Sequence, residues 1–315
     1  MQLTQIKNLK QGESVYGIYI LRNKELKEAS NKKQYIALIF IDSTGEISGK
    51  IWDVNETLYN SLNLNKLYKI YAKVDSWKET LQLNIIKIQL AEQSIQNRIA
   101  EFVPSAPLPP EVMLREVYSY ASKIDNTDIR RLVLKLLKDK EDKLLFYPAA
   151  RSLHHSVRSG LLYHIVRMLK VAEKLKDVYD EINIGLLYAG VLIHDLAKIG
   201  ELESDELGFS EYSKEGQLLG HLLMGIRDIE ISGRELGISS EVILLLQHMV
   251  AGHHYEPEYG SPKKPMFLEA ELLHYIDMID ARVYDYDNIL KNIEKGSFSE
   301  PVWSLDRRRL YKIDL

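Results

Sequence analysis

The chain has 315 residues, 45% hydrophobic and 27% charged, the composition of a soluble globular protein of about two domains. It contains no cysteine, which excludes disulfide frameworks, thiolate zinc sites and cysteine nucleophiles. The net charge of −4 is unevenly spread: residues 1–95 are slightly basic and the remainder acidic, too mild a split to mark a nucleic-acid binder by electrostatics alone. The first residues show no apolar signal segment, and no window approaches about 18 consecutive apolar residues. No leader and no membrane span are expected, and a cytoplasmic setting is.

Residues 14–22 (SVYGIYILR), 34–42 (QYIALIFID) and 46–53 (EISGKIWD) are rich in β-branched and aromatic residues and alternate as strands do. Asp42-Ser43-Thr44-Gly45 supplies the turn between the second and third. Residues 55–62 read as a short helix, and 67–77 and 81–90 as two further strands. Five strands with one helix between the third and fourth is the layout of an OB-fold barrel. The run DSTGEISGKIWD resembles strands two and three of nucleic-acid-binding OB-folds.

Residues 103–110 hold four of the nine prolines, so 96–110 reads as a semi-rigid linker. Beyond it the apolar period becomes helical, over 111–123, 128–138, 156–176, 182–196, 214–236, 240–250 and 269–291. The charge-rich stretch 131–143 reads as the solvated face of an amphipathic helix. The fold expected is therefore multidomain α+β. A five-stranded OB-fold β-barrel over 1–95 is followed by an all-α bundle over 111–315.

All nine histidines lie beyond residue 153. His194 and Asp195 are adjacent at the end of an apolar helix (VLIHDLAKIG), where burying either without a partner is costly. His164, His221, His253, His254 and Asp277 each stand in another apolar helical stretch. Five imidazoles and two carboxylates converging in a bundle demand a cation. Mixed nitrogen and oxygen ligation suits manganese, iron, nickel, cobalt or zinc better than calcium. Seven ligands are too many for one tetrahedral ion and suit two, with an aspartate such as Asp195 able to bridge them.

The order H…HD…H…HH…D over about 154–290 resembles the HD-domain metal-dependent phosphohydrolases. That resemblance implies one ion held by His164, His194, Asp195 and Asp277, and a second held by Asp195, His221, His253 and His254. It also implies that Lys198, the lysine of HDxxK, holds a substrate phosphate. Of the remaining histidines, His248 could replace one ligand and His274 reads as structural. His154, His155 and Arg158 are weaker candidates for touching substrate.

An OB-like barrel ahead of this domain is similar to the YhaM-type 3′→5′ exoribonucleases of Gram-positive bacteria. The segments carrying that likeness include HHSVRSGLLYH, LLYAGVLIHDLAKIGEL, HMVAGHHYEPEYGSPKKP and SLDRRRLYK. It implies an enzyme that hydrolyses phosphodiester bonds of single-stranded RNA, with single-stranded DNA a second candidate. Two divalent ions are implied, manganese first, with cobalt, iron, nickel or zinc as other candidates. OB-folds stack bases on aromatics in a mildly basic groove. Tyr35, Phe40, Lys50 and Trp52 are therefore candidates for binding the strand, with barrel core as the competing reading. Lys263, Lys264 and Arg307–Arg309 are basic clusters that could guide it, with solvated surface the alternative.

Other readings are an HD phosphohydrolase acting on a nucleotide, a cyclic-dinucleotide phosphodiesterase, and a catalytically silent OB/HD binding protein. A mononucleotide enzyme has no use for a strand-binding platform. The run HHYEPEYGSP lacks the DG-x-GYP loop of the cyclic-dinucleotide enzymes. A silent scaffold would be expected to have lost a ligand.

Overall fold

The structure is a computed structural model describing residues 4–29, 32–52, 54, 56–77, 80–151, 155–291 and 293–315. His154 and Asp53 lie outside the described residues. The chain divides into two units, Met1–Ser105 and Ala106–Leu315.

The first unit is a closed barrel. Strands β1 (Ser14–Glu28), β2 (Gln34–Asp42), β3 (Gly45–Trp52), β4 (Leu67–Trp77) and β5 (Thr80–Leu90) close in the order β1-β2-β3-β5-β4, with β4 paired back to β1. The β3–β5 pairing is parallel and the others antiparallel. Helix α1 (Glu56–Ser61) joins β3 to β4. This is OB-fold topology.

Strand alternation sends Ile36, Leu38 and Phe40 of β2 and Ile47 and Ile51 of β3 inward, with Tyr19, Ile70 and Leu83 from the other strands. Phe40 is fully buried. Gly49 makes room for it, since a Cβ there would lie 3.2 Å from the ring and 2.9 Å from Ile85. Phe40 is therefore a core residue and not a base-stacking one. Strand β1 runs six residues beyond the expected 14–22, to Glu28, past a bulge between Leu21 and Asn23. The added stretch NKELKE has no apolar alternation, and its pairing with β2 carries it on as a strand.

Between the barrel and the bundle, α2 (Gln93–Gln96) and a 3-10 turn (Ile99–Phe102) occupy part of the expected linker. In the second unit, α3 (Pro110–Ser122) and α4 (Thr127–Leu144) precede α5 (Gly160–Lys176) and α6 (Ile184–Ile193). Helix α4 reaches six residues past the expected end because Leu144 is again buried. Its charges lie outside, as the pairs Lys135–Asp139 and Lys138–Glu141 illustrate. A single turn, α7 (Lys198–Glu201), leads into a small hairpin, β6 (Leu202–Ser204) and β7 (Ser210–Tyr212), which the sequence reading did not include. Then come α8 (Lys214–Glu235), α9 (Ser240–Gly252) and α10 (Leu268–Lys291). No helix among the described residues is long and apolar enough to cross a membrane.

Helix α6 is the centre of this unit. Residues 186–193 are all buried, and the helix is apolar on every face, as a helix surrounded by others must be. Gly190 permits the closest approach, since a Cβ there would sit 2.2 Å from the Met249 methyl of α9. Asn183, Ser213 and Ser239 cap α6, α8 and α9, each accepting a backbone N–H two or three residues into the helix.

Candidate metal centre

Two helices end in the same way. Helix α6 stops at Ile193, short of the expected 196, and His194 follows as its C-cap. The His194 ring donates from Nδ1 to the Val191 carbonyl at 2.9 Å. Helix α9 stops at Gly252, and His253 donates from Nδ1 to the Val250 carbonyl at 2.8 Å. The last carbonyls of a helix lack internal donors, so an imidazole N–H satisfies them. A carbonyl can only accept, so the proton sits on Nδ1 and the Nε2 lone pair is free to point inward.

The other three imidazoles are anchored through the same nitrogen. His254 donates from Nδ1 to the Tyr259 carbonyl at 2.7 Å. His164 Nδ1 lies 2.8 Å from Asp280 Oδ2, and His221 Nδ1 lies 3.0 Å from Glu201 Oε1. His221 owes its place to a break in α8. Gly220 has φ +70°, a conformation that glycine adopts without cost, and the His221 backbone N–H bonds to Glu201 Oε1 instead of to its own helix.

The rings face Asp195, which is almost completely buried. Its Oδ2 lies 3.3 Å from His194 Nε2, 3.9 Å from His164 Nε2 and 2.7 Å from Lys198 Nζ. Its Oδ1 lies 3.4 Å from His221 Nε2 and 3.7 Å from His253 Nε2. Asp277 Oδ1 is 3.3 Å from His164 Nε2. Asp195, His221, His253 and His254 form one set whose ligand atoms lie within 4.8 Å of one another, and His164, His194 and Asp195 form another. His194, His253 and Asp277 form a third within the same limit. All seven residues singled out for metal are thus brought together.

This arrangement fits a metal centre. His194 Nε2, His221 Nε2, His253 Nε2 and Asp195 Oδ1 are buried and make no hydrogen bond. Buried polar atoms are rarely left so, and an unassigned ion is one of the standard reasons. Their spacing is long for hydrogen bonds, yet it is about that of ligands sharing a first-row ion at roughly 2.0–2.2 Å. Imidazoles anchored through Nδ1 to a carbonyl or carboxylate are the usual support of metal-ligating histidine.

The electrostatics favour neutral His253 and His254 rings beside two ionised carboxylates. Burial pushes His253 below the usual imidazole range, and burial with the neighbouring His253 and His221 rings pushes His254 down to about 3. Burial favours a protonated Asp195, but Lys198 and then His194 outweigh it and hold the carboxyl well below its ordinary value. For Asp277 burial is likewise outweighed, by His164. Burial also works against a charged His164, yet Asp277 and Asp280 carry it up to about 9.

Several supporting residues were not anticipated. Asp280, on α10, joins His164 to His155 and Arg167: Oδ2 lies 2.8 Å from His155 Nε2 and Oδ1 2.6 Å from Arg167 Nε. Asp280 stands one helical turn past Asp277 in an apolar stretch, and that spacing was the legible signal. Glu201, three residues past Lys198, had a weaker one.

His155 is fully buried against Asp280 and the Tyr284 ring, so it does not reach a substrate. It precedes α5, which starts at Gly160 and not at 156, because His155 and Ser159 take positive φ. Arg158 donates to the Glu206 carbonyl in the β6–β7 turn. His248 lies outside the cluster, its Nε2 accepting from the Met266 backbone N–H. His274 donates from Nδ1 to the His253 carbonyl.

On the barrel, Tyr35 and Trp52 are a cross-strand pair on the outer face of β2 and β3, with ring centroids 5.0 Å apart. Trp52 is 39% exposed. Lys50, on the same face, has its ammonium 5.6 Å from the Tyr35 ring centre. In the second unit Lys263 and Lys264 are exposed, with Lys264 over the Tyr255 ring and 3.3 Å from Glu256. Arg308 and Arg309 are committed to the carbonyls of Leu305 and Ser299, while Arg307 stacks on Trp303.

The HD domain family matches residues 161–282. The chain is 38% identical over 301 residues to the 3′-5′ exoribonuclease YhaM of Geobacillus sp. (strain WCH70), covering 96% of this chain and 92% of that one. It is 37% identical to the 3′-5′ exoribonuclease YhaM of Halalkalibacterium halodurans, covering 96% and 93%. Among solved structures, a domain of replication protein A from Methanococcus maripaludis is 23% identical, covers 30% of this chain and 99% of that one, and gives a TM-score of 0.26. With an identity of this level over nearly the whole length of its relatives, an HD domain and an OB barrel ahead of it, the chain belongs to the YhaM family of exoribonucleases.

Proposed function

We propose that the chain is a metal-dependent 3′→5′ exoribonuclease acting on single-stranded RNA, with single-stranded DNA as a second substrate. The observation that carries this reading is the division of Asp195. One oxygen faces His164, His194 and Lys198, and the other faces His221 and His253. His164, His194, Asp195 and Asp277 would hold one ion, and Asp195, His221, His253 and His254 a second, with manganese the first candidate. Such a pair supplies Lewis acidity to the phosphoryl group and lowers the pKa of water.

The protein contributes the rest. The Nδ1 anchors fix each ring's tautomer and direction. Lys198 is held at Asp195 by one ion pair, and an ammonium has three N–H donors, so those remaining can hold a phosphate oxygen. Lys198 and His194 keep Asp195 ionised and His164 does the same for Asp277, while the buried walls keep the site's interactions strong. Chelation of divalent ions is expected to stop the shortening of 5′-labelled single-stranded RNA, and manganese to restore it. Shortening that persists at full rate in excess chelator would sink the reading.

The barrel supplies the grip on the strand. Tyr35 and Trp52 offer π-faces beside Lys50, and base stacking contributes about 1–3 kcal/mol per base. Lys263 and Lys264 attract the phosphates near the cluster. Tyr35→Ala and Trp52→Ala are each expected to weaken RNA binding by about 5- to 150-fold in a filter-binding or anisotropy titration, 1.4 kcal/mol being tenfold. The double variant should lose less than the sum, because the two rings touch. Unchanged affinity in both single variants would remove this face from the binding site.

A further inference from the structure

The loop after the paired histidines carries one residue whose placement the metal cluster does not explain. Tyr259 is 71% exposed. Its backbone carbonyl, however, is the acceptor that fixes His254 Nδ1 at 2.7 Å. An exposed aromatic ring is thus mounted on the very residue that holds one of the imidazoles of the cluster.

The mount is rigid. Ser261, buried, accepts the His254 backbone N–H through Oγ at 3.1 Å, closing the loop from its other side. Tyr255 and Gly260 both take positive φ, and Pro257 fixes the start of the short 3-10 turn Pro257–Tyr259. Leu222 of α8 packs beneath Gly260, where a Cβ would lie 3.5 Å from its methyl. A ring on so constrained a backbone gives up little entropy when a flat partner covers it. A lone exposed aromatic is ordinary on a protein surface; Tyr259 is set apart because its own backbone carbonyl anchors a ring of the cluster.

We infer that Tyr259 is a positioning residue whose ring stacks on the base at the 3′ end of the RNA, setting the terminal phosphodiester against the metal cluster. This inference rests on the exonuclease reading above. Stacking suits an enzyme that must accept any base, since every base has a π-face and no hydrogen-bond readout is needed. The tyrosine acts through its ring. The carbonyl that anchors His254 belongs to the backbone and survives substitution.

The test uses the full chain loaded with manganese and a short oligoribonucleotide. Tyr259→Ala should raise KM by about 5- to 150-fold, while bound metal per chain, measured by elemental analysis, stays as in the wild type. Tyr259→Phe should restore the wild-type KM. A substrate with an abasic 3′-terminal nucleotide should show the same rise with the wild-type protein and no further rise with Tyr259→Ala. Additive losses, or a rise in KM that only an abasic penultimate nucleotide abolishes, would overturn the assignment to the terminal base. An unchanged KM in Tyr259→Ala, with RNA still degraded by the wild type, would overturn the inference and leave the exonuclease reading intact. Absence of RNA cleavage by the wild type would overturn both.

Discussion

Asp195→Ala is expected to lower RNA turnover by about 10³-fold or more while leaving RNA affinity within about twofold. The carboxylate faces both halves of the imidazole cluster, one oxygen to each. Losing it would remove a ligand from each of the two proposed ion sites, and metal-based stabilisation of a phosphoryl transition state is worth several kcal/mol, each 1.36 kcal/mol being tenfold. The proposed strand-binding face of Tyr35, Lys50 and Trp52 belongs to the barrel and keeps its structure. Steady-state cleavage, an RNA titration and metal content measured on one preparation check the three parts. Asp195→Asn guards against a folding artefact, since it keeps the shape and one oxygen while removing the charge. Near-normal turnover in both variants would break the assignment.

Asp280→Ala should have the largest effect on stability. Asp280 is 2% exposed and touches His155, His164 and Arg167 at once. Burial favours its protonated form, yet contacts with His155 and His164 hold it well below the ordinary carboxylate range. Removing one partner of such a buried group costs about 3–5 kcal/mol, because the others stay buried without their carboxylate. At roughly 2–4 °C per kcal/mol for a unit of this size, the transition measured by calorimetry should fall by about 6–20 °C. Asp280→Asn keeps a hydrogen-bonding oxygen and should lose less stability. It should still weaken metal binding by about 10- to 100-fold, the usual penalty for losing a ligand's support. A melting point and metal affinity both unchanged in Asp280→Ala would show that His164 is oriented without it.

The barrel was legible because strand alternation and the helix between strands three and four are local signals. What alternation could not decide was which face of β2 looks inward. Phe40 and Tyr35 were equal candidates, and only closure of the sheet, with Gly49 opposite, sends Phe40 inside. The charged end of β1 was missed for a related reason: it is a strand by virtue of its pairing with β2, not its own pattern.

In the second unit the seven residues proposed for metal stood out, because histidine and aspartate in apolar helices are costly without a purpose. Their supports were less visible. Val191, Val250 and Tyr259 contribute backbone carbonyls, which any residue would supply, so sequence carries no trace of them. Glu201 acts across a glycine-broken turn of α8, a contact between residues twenty positions apart. The ends of α5 and α6 were extended too far because hydrophobic periodicity continues past the points where the backbone turns away.

The shared ending of α6 and α9 couples two properties usually treated apart. In each, the carbonyl three residues before the histidine is closed by the ring that also faces the cluster. Fraying of either terminus would swing the ring away, and anything gripping Nε2 resists that fraying. Ligation at the cluster and closure of these two helix ends are therefore linked equilibria. Part of the affinity for an ion would be returned as rarer opening of the helices whose ends hold it.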